Sequence, residues 1–139
     1  MNEYRWADLA IGMREEFAVV VEPASVDAFA ALSGDYNPMH VDPDTAREDG
    51  FRDRLVHGLL TASYYSTLVG IHLPGRYALL HGLNVEFTLP VYPGDTLTVS
   101  GAIVFLSEAI RLAEIDAEIR NAEGSRVSKA KIRVGIRER

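Results

Sequence analysis

The sequence predicts an α+β domain in which one antiparallel sheet wraps around one long central helix. An apolar stretch of helical character runs from Val56 to Gly75 and contains no Asp or Glu between His57 and His72. Four segments that resemble strands follow it, and the last three largely alternate apolar with polar residues. Because a helix that is apolar on nearly every face must be enclosed, a sheet curled around it is the economical arrangement.

Turn and cap residues define the elements that precede the long helix. Residues 16–21 indicate a first strand, which Pro23 ends. A short helix is predicted next, with Ser25 as its N-cap and Gly34 as its stop. The expected apolar side of this helix consists of Val26, Phe29, Ala30 and Leu32.

A further helix is predicted to begin at Asp42, which would be its N-cap, with Pro43 in the first turn. The segment at 110–122 is rich in Ala and Glu, which also suit a helix, but its pattern favours a strand. The four strand segments after the long helix are 77–91, 96–108, 110–122 and 126–136.

The composition excludes several classes of function. A chain of 139 residues fits a single domain, residues 1–139, with one core. A net charge of -6, with no basic stripe, argues against a nucleic-acid partner. The chain has no cysteine, so disulfides, zinc–thiolate sites and thiol nucleophiles are excluded. No signal peptide is evident and the stretch at 55–73 is too polar to span a membrane, so we expect a soluble, cytoplasmic protein.

Asp35 and His40 are the strongest candidates for chemistry. They lie five residues apart, with Asn37 and Pro38 between them, and the proline restrains both its own backbone and that of the preceding residue. A carboxylate and an imidazole on such a short link can contact one common water molecule. Their reference pKa values, about 3.9 and about 6.5, allow one group to accept a proton and the other to donate one near neutral pH.

Two other interpretations of these residues remain open from residue types alone. Gly-Asp-x-Asn-Pro is also good turn chemistry, because Asp and Asn accept hydrogen bonds from nearby backbone N–H groups. A metal site is the other possibility, with His40 and Asp42 as two ligands and His57 as a third. Without thiolates or a dense His/Asp cluster, a metal is the weakest of the three interpretations.

The start of the apolar helix is a second candidate feature. Gly58 would expose backbone N–H groups at the positive end of the helix dipole. Such donors stabilise an oxygen that gains negative charge during a reaction. The simpler alternative is that Gly58 permits close packing. For the histidines His57, His72 and His81, a structural role is the expected one.

The segment FAALSGDYNPMHVDPDTA, residues 29–46, resembles the signature of the MaoC-like (R)-specific enoyl-CoA hydratases. That signature has an aromatic residue, Ser-Gly-Asp-x-Asn-Pro, an aliphatic residue, His, and a small residue six positions later. The likeness continues through residues 56–75 and through FTLPVYPGD, and it covers most of the chain from Val26 to about Val99. Two departures stand out: Met39 replaces the usual Leu, Ile or Val, and the segment after Gly75 differs, which leaves the acyl pocket undefined.

The resemblance implies a hot-dog fold and a homodimer whose active site lies at the subunit interface. The implied reaction is the reversible hydration of trans-2-enoyl thioesters to (R)-3-hydroxyacyl thioesters, without a metal or organic cofactor. By matching position, Asp35 and His40 would bind and activate the water, and Asn37 would order their loop. The Gly58 N–H would bind the thioester oxygen, and Ser66 would lie near the site.

Three alternatives share this fold. The substrate could be an acyl-carrier-protein thioester, as in fatty acid or polyketide assembly. A hot-dog thioesterase is disfavoured because the long helix lacks a carboxylate, and a non-catalytic acyl-binding module is disfavoured by the intact Asp35/His40 pair. Arg52, Arg54 and Arg76 could contact the phosphates of coenzyme A or an acidic carrier, or they could be solvated surface.

Overall fold

The structure is a computed structural model that describes residues 1–138. Its main element is an antiparallel sheet of five strands. The strands are β1 (Arg14–Val20), β2 (Ala78–Phe87), β3 (Thr96–Ser107), β4 (Leu112–Arg120) and β5 (Arg126–Ile136). Neighbouring strands follow the order β1-β3-β4-β5-β2, so β1 and β2 form the two edges. The segment at 110–122 is thus a strand, as predicted.

The central helix, α4 (Gly58–Thr67), packs against the inner face of this sheet. It continues into one turn of π-helix, Leu68–His72. A Cβ built at Gly101 on β3 would lie 2.8 Å from the side chain of Leu68, so glycine allows the helix to approach the sheet closely. The four α-helices are α1 (Pro23–Ser33), α2 (Pro38–Val41), α3 (Pro43–Glu48) and α4 (Gly58–Thr67).

Enclosure of α4 is less complete than its composition suggests. Leu60, Tyr65 and Leu68 are buried in the core, whereas Leu59 in the first turn remains 72% exposed. One face of the first turn of α4 therefore points away from the chain's own sheet. No helix within residues 1–138 is long and apolar enough to cross a membrane.

Helix α1 differs from its prediction at its start and on its outer face. It begins at Pro23, with Glu22 in the N-cap position, so the prediction of Ser25 as N-cap was wrong. Proline is well suited to the first helical turn because its fixed φ matches the helix and its missing N–H needs no partner there. Leu32 is exposed rather than part of the buried side. Gly34 ends the helix in the left-handed conformation, φ 78°, as predicted.

Helix α3 begins as predicted, because the Asp42 carboxylate accepts hydrogen bonds from the Asp44 N–H and the Thr45 hydroxyl. These bonds hold the pKa of Asp42 below its ordinary value. The short helix α2, which carries His40, was not predicted. It is one turn long and begins at Pro38.

Candidate active site

The loop between α1 and α2 is organised by three consecutive side-chain-to-backbone hydrogen bonds. The Ser33 hydroxyl accepts from the Asp35 N–H at 3.2 Å, and Asp35 Oδ1 accepts from the Asn37 N–H at 3.2 Å. Asn37 Oδ1 in turn caps α2 by accepting from the Met39 N–H at 3.1 Å. The turn chemistry seen in the sequence is therefore present, but it uses only one of the two Asp35 carboxylate oxygens.

The other carboxylate oxygen of Asp35 faces His40. Asp35 Oδ2 lies 3.8 Å from His40 Nε2, which is too long for a direct hydrogen bond but suits one water molecule in contact with both atoms. The Asp35 side chain is 51% exposed and that of His40 only 13%. The fold thus brings the two predicted residues together, the imidazole enclosed and the carboxylate open to solvent.

The hydrogen bonds of His40 determine which of its nitrogens can exchange a proton. His40 Nδ1 lies 2.8 Å from the backbone carbonyl oxygen of Leu55. A carbonyl oxygen can only accept, so Nδ1 must carry the hydrogen. In the neutral ring, Nε2 then has the free lone pair, and this is the atom that faces Asp35.

Arg54 holds the backbone of His40 in place by a hydrogen bond. Its guanidinium donates to Asp27 Oδ1 at 2.6 Å, to the carbonyl oxygen of His40 at 3.2 Å and to that of Pro23 at 3.3 Å. This largely buried side chain therefore ties α2 to the start of α1. Because Nη1 and Nη2 of Arg54 are engaged within the fold, this arrangement disfavours a phosphate contact at Arg54.

The other two arginines considered as phosphate contacts are exposed but paired. Arg52 contacts Asp95 at 3.1 Å and lies 4.2 Å from the centre of the Tyr92 ring. Arg76 contacts Glu3 at 3.3 Å. A phosphate would have to compete with these carboxylates for either side chain.

Gly58 is the first residue of α4, with His57 in the N-cap position. Within residues 1–138 its N–H has no hydrogen-bond acceptor, so a donor at the positive end of the helix is free. The packing interpretation also holds, because a Cβ at Gly58 would lie 3.1 Å from the ring of Phe87. Gly58, His40, Thr61 and Phe87 line one cleft of about 390 Å³, whose walls are otherwise mostly apolar.

Sequence reasoning assigned His57 a structural role, but His57 contacts both members of the Asp35/His40 pair. Its ring is 2% exposed and stacks on the His40 ring, with centroids 3.9 Å apart. Its Nε2 lies 3.0 Å from the backbone carbonyl oxygen of Asp35. The sequence signal for this arrangement was weak: a histidine directly before the glycine that starts the buried helix.

Ser66 lies apart from this cleft. It is an exposed residue on α4, eight positions after Gly58, which corresponds to about 12 Å along a helix axis. It does not line the cleft that contains His40 and Gly58.

The structure changes the set of residues that could bind a metal ion. Asp35, His40 and His57 place ligand atoms within 4.8 Å of one another, whereas Asp42 caps α3 instead. The two imidazole planes are stacked at 23°, so their nitrogen lone pairs, which lie in the ring planes, run side by side rather than towards one ion. One nitrogen of each ring is also bonded to a backbone carbonyl. This arrangement favours proton chemistry over ion binding.

Comparison with known proteins identifies the family. Residues 9–125 match the family described as MaoC like domain. The chain belongs to the MaoC-like family. A solved structure of an (R)-hydratase from A. caviae involved in PHA biosynthesis matches this MaoC-like fold with a TM-score of 0.89 and 34% identity, covering 93% of this chain and 98% of that one. The predicted family and hot-dog fold are therefore confirmed.

Two relatives differ in the carrier that their names give. The (R)-specific enoyl-CoA hydratase of Aeromonas caviae is 37% identical over 117 residues, which cover 84% of this MaoC-like chain and 87% of that protein. The mitochondrial 3-hydroxyacyl-[acyl-carrier-protein] dehydratase of Arabidopsis thaliana is 39% identical over 95 residues. That match covers 68% of this chain but only 52% of the plant protein.

Proposed function

We propose that this protein is a hydro-lyase that reversibly hydrates trans-2-enoyl-CoA thioesters to (R)-3-hydroxyacyl-CoA thioesters. One observation carries the proposal: Asp35 Oδ2 and His40 Nε2 lie one water molecule apart, and His40 shares its cleft with the free Gly58 N–H. The relative named (R)-specific enoyl-CoA hydratase, which aligns with 84% of the chain, supports both the reaction and the (R) configuration.

The helix end stabilises the charge that the reaction generates. When water attacks the β-carbon of the enoyl thioester, electrons move through the conjugated system to the thioester oxygen. A hydrogen bond from the Gly58 N–H to this oxygen stabilises the enolate. The loss of one such donor typically raises the barrier by about 2.7–4 kcal/mol.

The proton transfers use His40 Nε2, because His40 Nδ1 is bonded to the Leu55 carbonyl oxygen. The water oxygen bonds to the β-carbon while His40 Nε2 takes one of its protons, and Asp35 Oδ2 accepts a hydrogen bond from the other. The imidazolium, next to the Asp35 carboxylate, then returns its proton to the α-carbon of the enolate. Water is added in full and His40 is regenerated, so no other reactant is required.

The test is the hydration of crotonyl-CoA, followed by the loss of the enoyl-thioester absorbance. We expect wild-type activity, and a large loss of kcat in both Asp35→Asn and His40→Ala with circular dichroism unchanged. Asp116→Asn is the matched control, because Asp116 is an aspartate of similar exposure on β4. The dyad would be rejected if either variant kept wild-type kcat.

Release of free coenzyme A instead of hydration would indicate a thioesterase. A thiol reagent distinguishes the two reactions without background, because the protein contains no cysteine.

The carrier-protein alternative is favoured by one observation, the named acyl-carrier-protein dehydratase that aligns with 68% of this chain. The two substrates can be separated by comparing kcat/KM for crotonyl-CoA and for a crotonyl carrier protein. Activity with the carrier-bound chain alone would select this alternative. The net charge of -6 makes docking of an acidic carrier less favourable.

A second copy of the chain is the proposed partner at the β2 edge. Leu80, Leu83 and Phe87 pair in register with β5 residues that are buried in the core, so all three face the helix side of the sheet. They nevertheless remain 40–49% exposed, so the chain's own helix covers them only in part. An apolar strip along an unpaired edge strand of ten residues is a typical association surface.

Pairing of two β2 edges would extend the sheet across both copies. It would also enclose the cleft, since Phe87 belongs to both the strip and the cleft wall. Sedimentation equilibrium should give a mass near twice the monomer's 15.3 kDa. A monomer at micromolar concentration would contradict the dimer without affecting the assignment of the reaction.

A further inference from the structure

His57 contacts Asp35 and His40 through different parts of its ring. Its face stacks on His40 at 3.9 Å between centroids, and the ring of Phe29 packs against it at 4.8 Å, tilted by 57°. Its edge places Nε2 3.0 Å from the Asp35 carbonyl oxygen. A shift of the His57 ring would therefore disturb both the ring plane of His40 and the backbone of Asp35.

The carbonyl partners assign a tautomer to each ring. Because a carbonyl oxygen accepts only, His57 must carry its hydrogen on Nε2, whereas His40 must carry its hydrogen on Nδ1. The two stacked rings are thus in opposite tautomers. If His57 moved its hydrogen to Nδ1, a nitrogen lone pair would face the carbonyl oxygen of Asp35 and the bond would be lost.

This tautomer leaves His57 Nδ1 with a lone pair that needs a donor. Within residues 1–138, the buried side-chain atoms without a hydrogen-bond partner are His57 Nδ1 and Thr61 Oγ1. Thr61 lies in the first turn of α4, four residues after the N-cap residue His57, and its helical side chain points back towards the helix end at which His57 lies. One atom needs a donor and the other carries a hydroxyl hydrogen, so the two requirements are complementary.

We propose that His57 is a positioning residue for Asp35 and His40, and that the Thr61 hydroxyl, directly or through one buried water, donates to His57 Nδ1 and so fixes its tautomer. Buried polar atoms that lack protein partners are commonly bridged by ordered water. The tautomers follow from the geometry alone, whereas the catalytic consequence rests on the function proposed above.

The first test is spectroscopic and does not depend on activity. Long-range ¹H–¹⁵N correlation spectra of protein labelled with ¹⁵N-histidine distinguish the two tautomers, and the chain has only four histidines to assign. His72→Gln and His81→Gln identify the two signals outside the site. We expect His57 as the Nε2–H form and His40 as the Nδ1–H form. The proposal is overturned if His57 is the Nδ1–H form or a rapidly exchanging mixture.

The second test is kinetic and separates positioning from substrate binding. Thr61→Val removes the hydroxyl at nearly constant volume, and we expect kcat to fall about three- to tenfold, as for the loss of one hydrogen bond, with KM unchanged. We expect Thr61→Val also to weaken the preference of His57 for the Nε2–H form, and Thr61→Ser should restore both kcat and that preference. Thr67→Val, on the last residue of the same helix, is the matched control.

Different results would reject different parts of the proposal. Unchanged kcat and an unchanged His57 tautomer in Thr61→Val would reject the role of the hydroxyl. A raised KM at constant kcat would make Thr61 a substrate contact instead. His57→Phe keeps a ring for the stack on His40 but has no donor for Asp35, so a kcat equal to wild type would reject the role of His57. If wild-type protein did not hydrate crotonyl-CoA, the spectra would still decide the tautomers.

Discussion

At the scale of single residues, Gly58 lies where the cleft leaves little room for a side chain. A methyl group in Gly58→Ala would lie 3.1 Å from the Phe87 ring, so the ring must shift by a few tenths of an ångström and the methyl group would narrow the cleft beside the N–H. We expect kcat for crotonyl-CoA to fall by about tenfold or more, up to the ~10²–10³ typical of a lost oxyanion donor. The melting temperature should change little, because alanine is the better helix former.

The matched control for this substitution is Gly70→Ala. A Cβ at Gly70 meets nothing within 4 Å, and its backbone does not require glycine. If Gly70→Ala and Gly58→Ala reduced kcat equally, the effect would not come from the cleft. Adding Phe87→Leu to Gly58→Ala should recover part of the loss, because the smaller side chain makes room for the methyl group.

Tyr65 and Ser128 form a buried chain of two hydrogen bonds. Removal of the Tyr65 hydroxyl and removal of the Ser128 hydroxyl should have different costs in stability. The Tyr65 hydroxyl donates to Ser128 Oγ at 2.9 Å, and Ser128 Oγ donates to the Glu86 carbonyl oxygen at 2.9 Å. Tyr65→Phe should lower the free energy of unfolding by about 0.5–1.5 kcal/mol, because the remaining bond is intact. Ser128→Ala should cost about 1–3 kcal/mol, because it leaves a buried hydroxyl unpaired. Urea unfolding measures both, and the reverse order would contradict this account.

The same tyrosine makes stability depend on alkaline pH. Burial raises the pKa of Tyr65 to about 12, above the value of about 10 expected in the unfolded chain. The resulting stabilisation is complete below pH 10 and is lost as pH rises towards 12, because the unfolded state gives up its proton first. Unfolding curves at pH 9 and at about pH 11 should therefore differ more for the wild type than for Tyr65→Phe. Equal losses would show that Tyr65 is not responsible.

At the scale of elements, residues 54–58 act as a continuous support for the loop that carries the dyad. The Leu55 N–H donates to the Met39 carbonyl oxygen at 2.8 Å, and the Leu55 carbonyl accepts from His40. Arg54 and His57 donate to the backbone carbonyl oxygens of His40 and Asp35, and Gly58 then begins α4. Dyad and oxyanion donor are thus positioned by neighbouring residues of one segment.

Loss of the Arg54 guanidinium should affect this support. Arg54→Met keeps much of the apolar stem but removes three hydrogen bonds, two of them to backbone carbonyls. We expect the free energy of unfolding to fall by about 1.5–3 kcal/mol and kcat to fall with it. Arg52→Met is the control, since an exposed ion pair contributes about 0–1 kcal/mol. Equal effects of the two substitutions on the free energy of unfolding would show that Arg54 contributes no more to stability than an exposed arginine does.

Some features of the fold depend on residues that are close together in the sequence, whereas others depend on contacts between distant segments. The alternating strands, the Asp42 cap and the Gly34 stop depend on residues within a few positions, so the sequence predicted them. The motif at residues 29–46 identified Asp35 and His40 as candidates for the same reason, because the two residues are close together in the sequence. The contacts of His57 and Arg54 depend on packing between segments 14 to 31 residues apart, which no local pattern encodes. Leu32 was placed on the buried side of α1 by periodicity alone, and the structure leaves it exposed.

At the scale of the whole molecule, the cleft and the proposed dimer surface share Phe87, so activity should depend on association. Leu83→Glu puts a charge on the apolar strip of β2, and burial of an unpaired carboxylate there would weaken the dimer by about 100-fold or more. We expect a monomer by sedimentation and a proportionate loss of kcat/KM for crotonyl-CoA. Ile110→Glu makes the same change at an exposed apolar residue in the turn between β3 and β4, and it should leave both properties intact. A monomeric Leu83→Glu protein with full activity would show that one chain forms a complete site, whereas an unchanged dimer would move the interface away from β2.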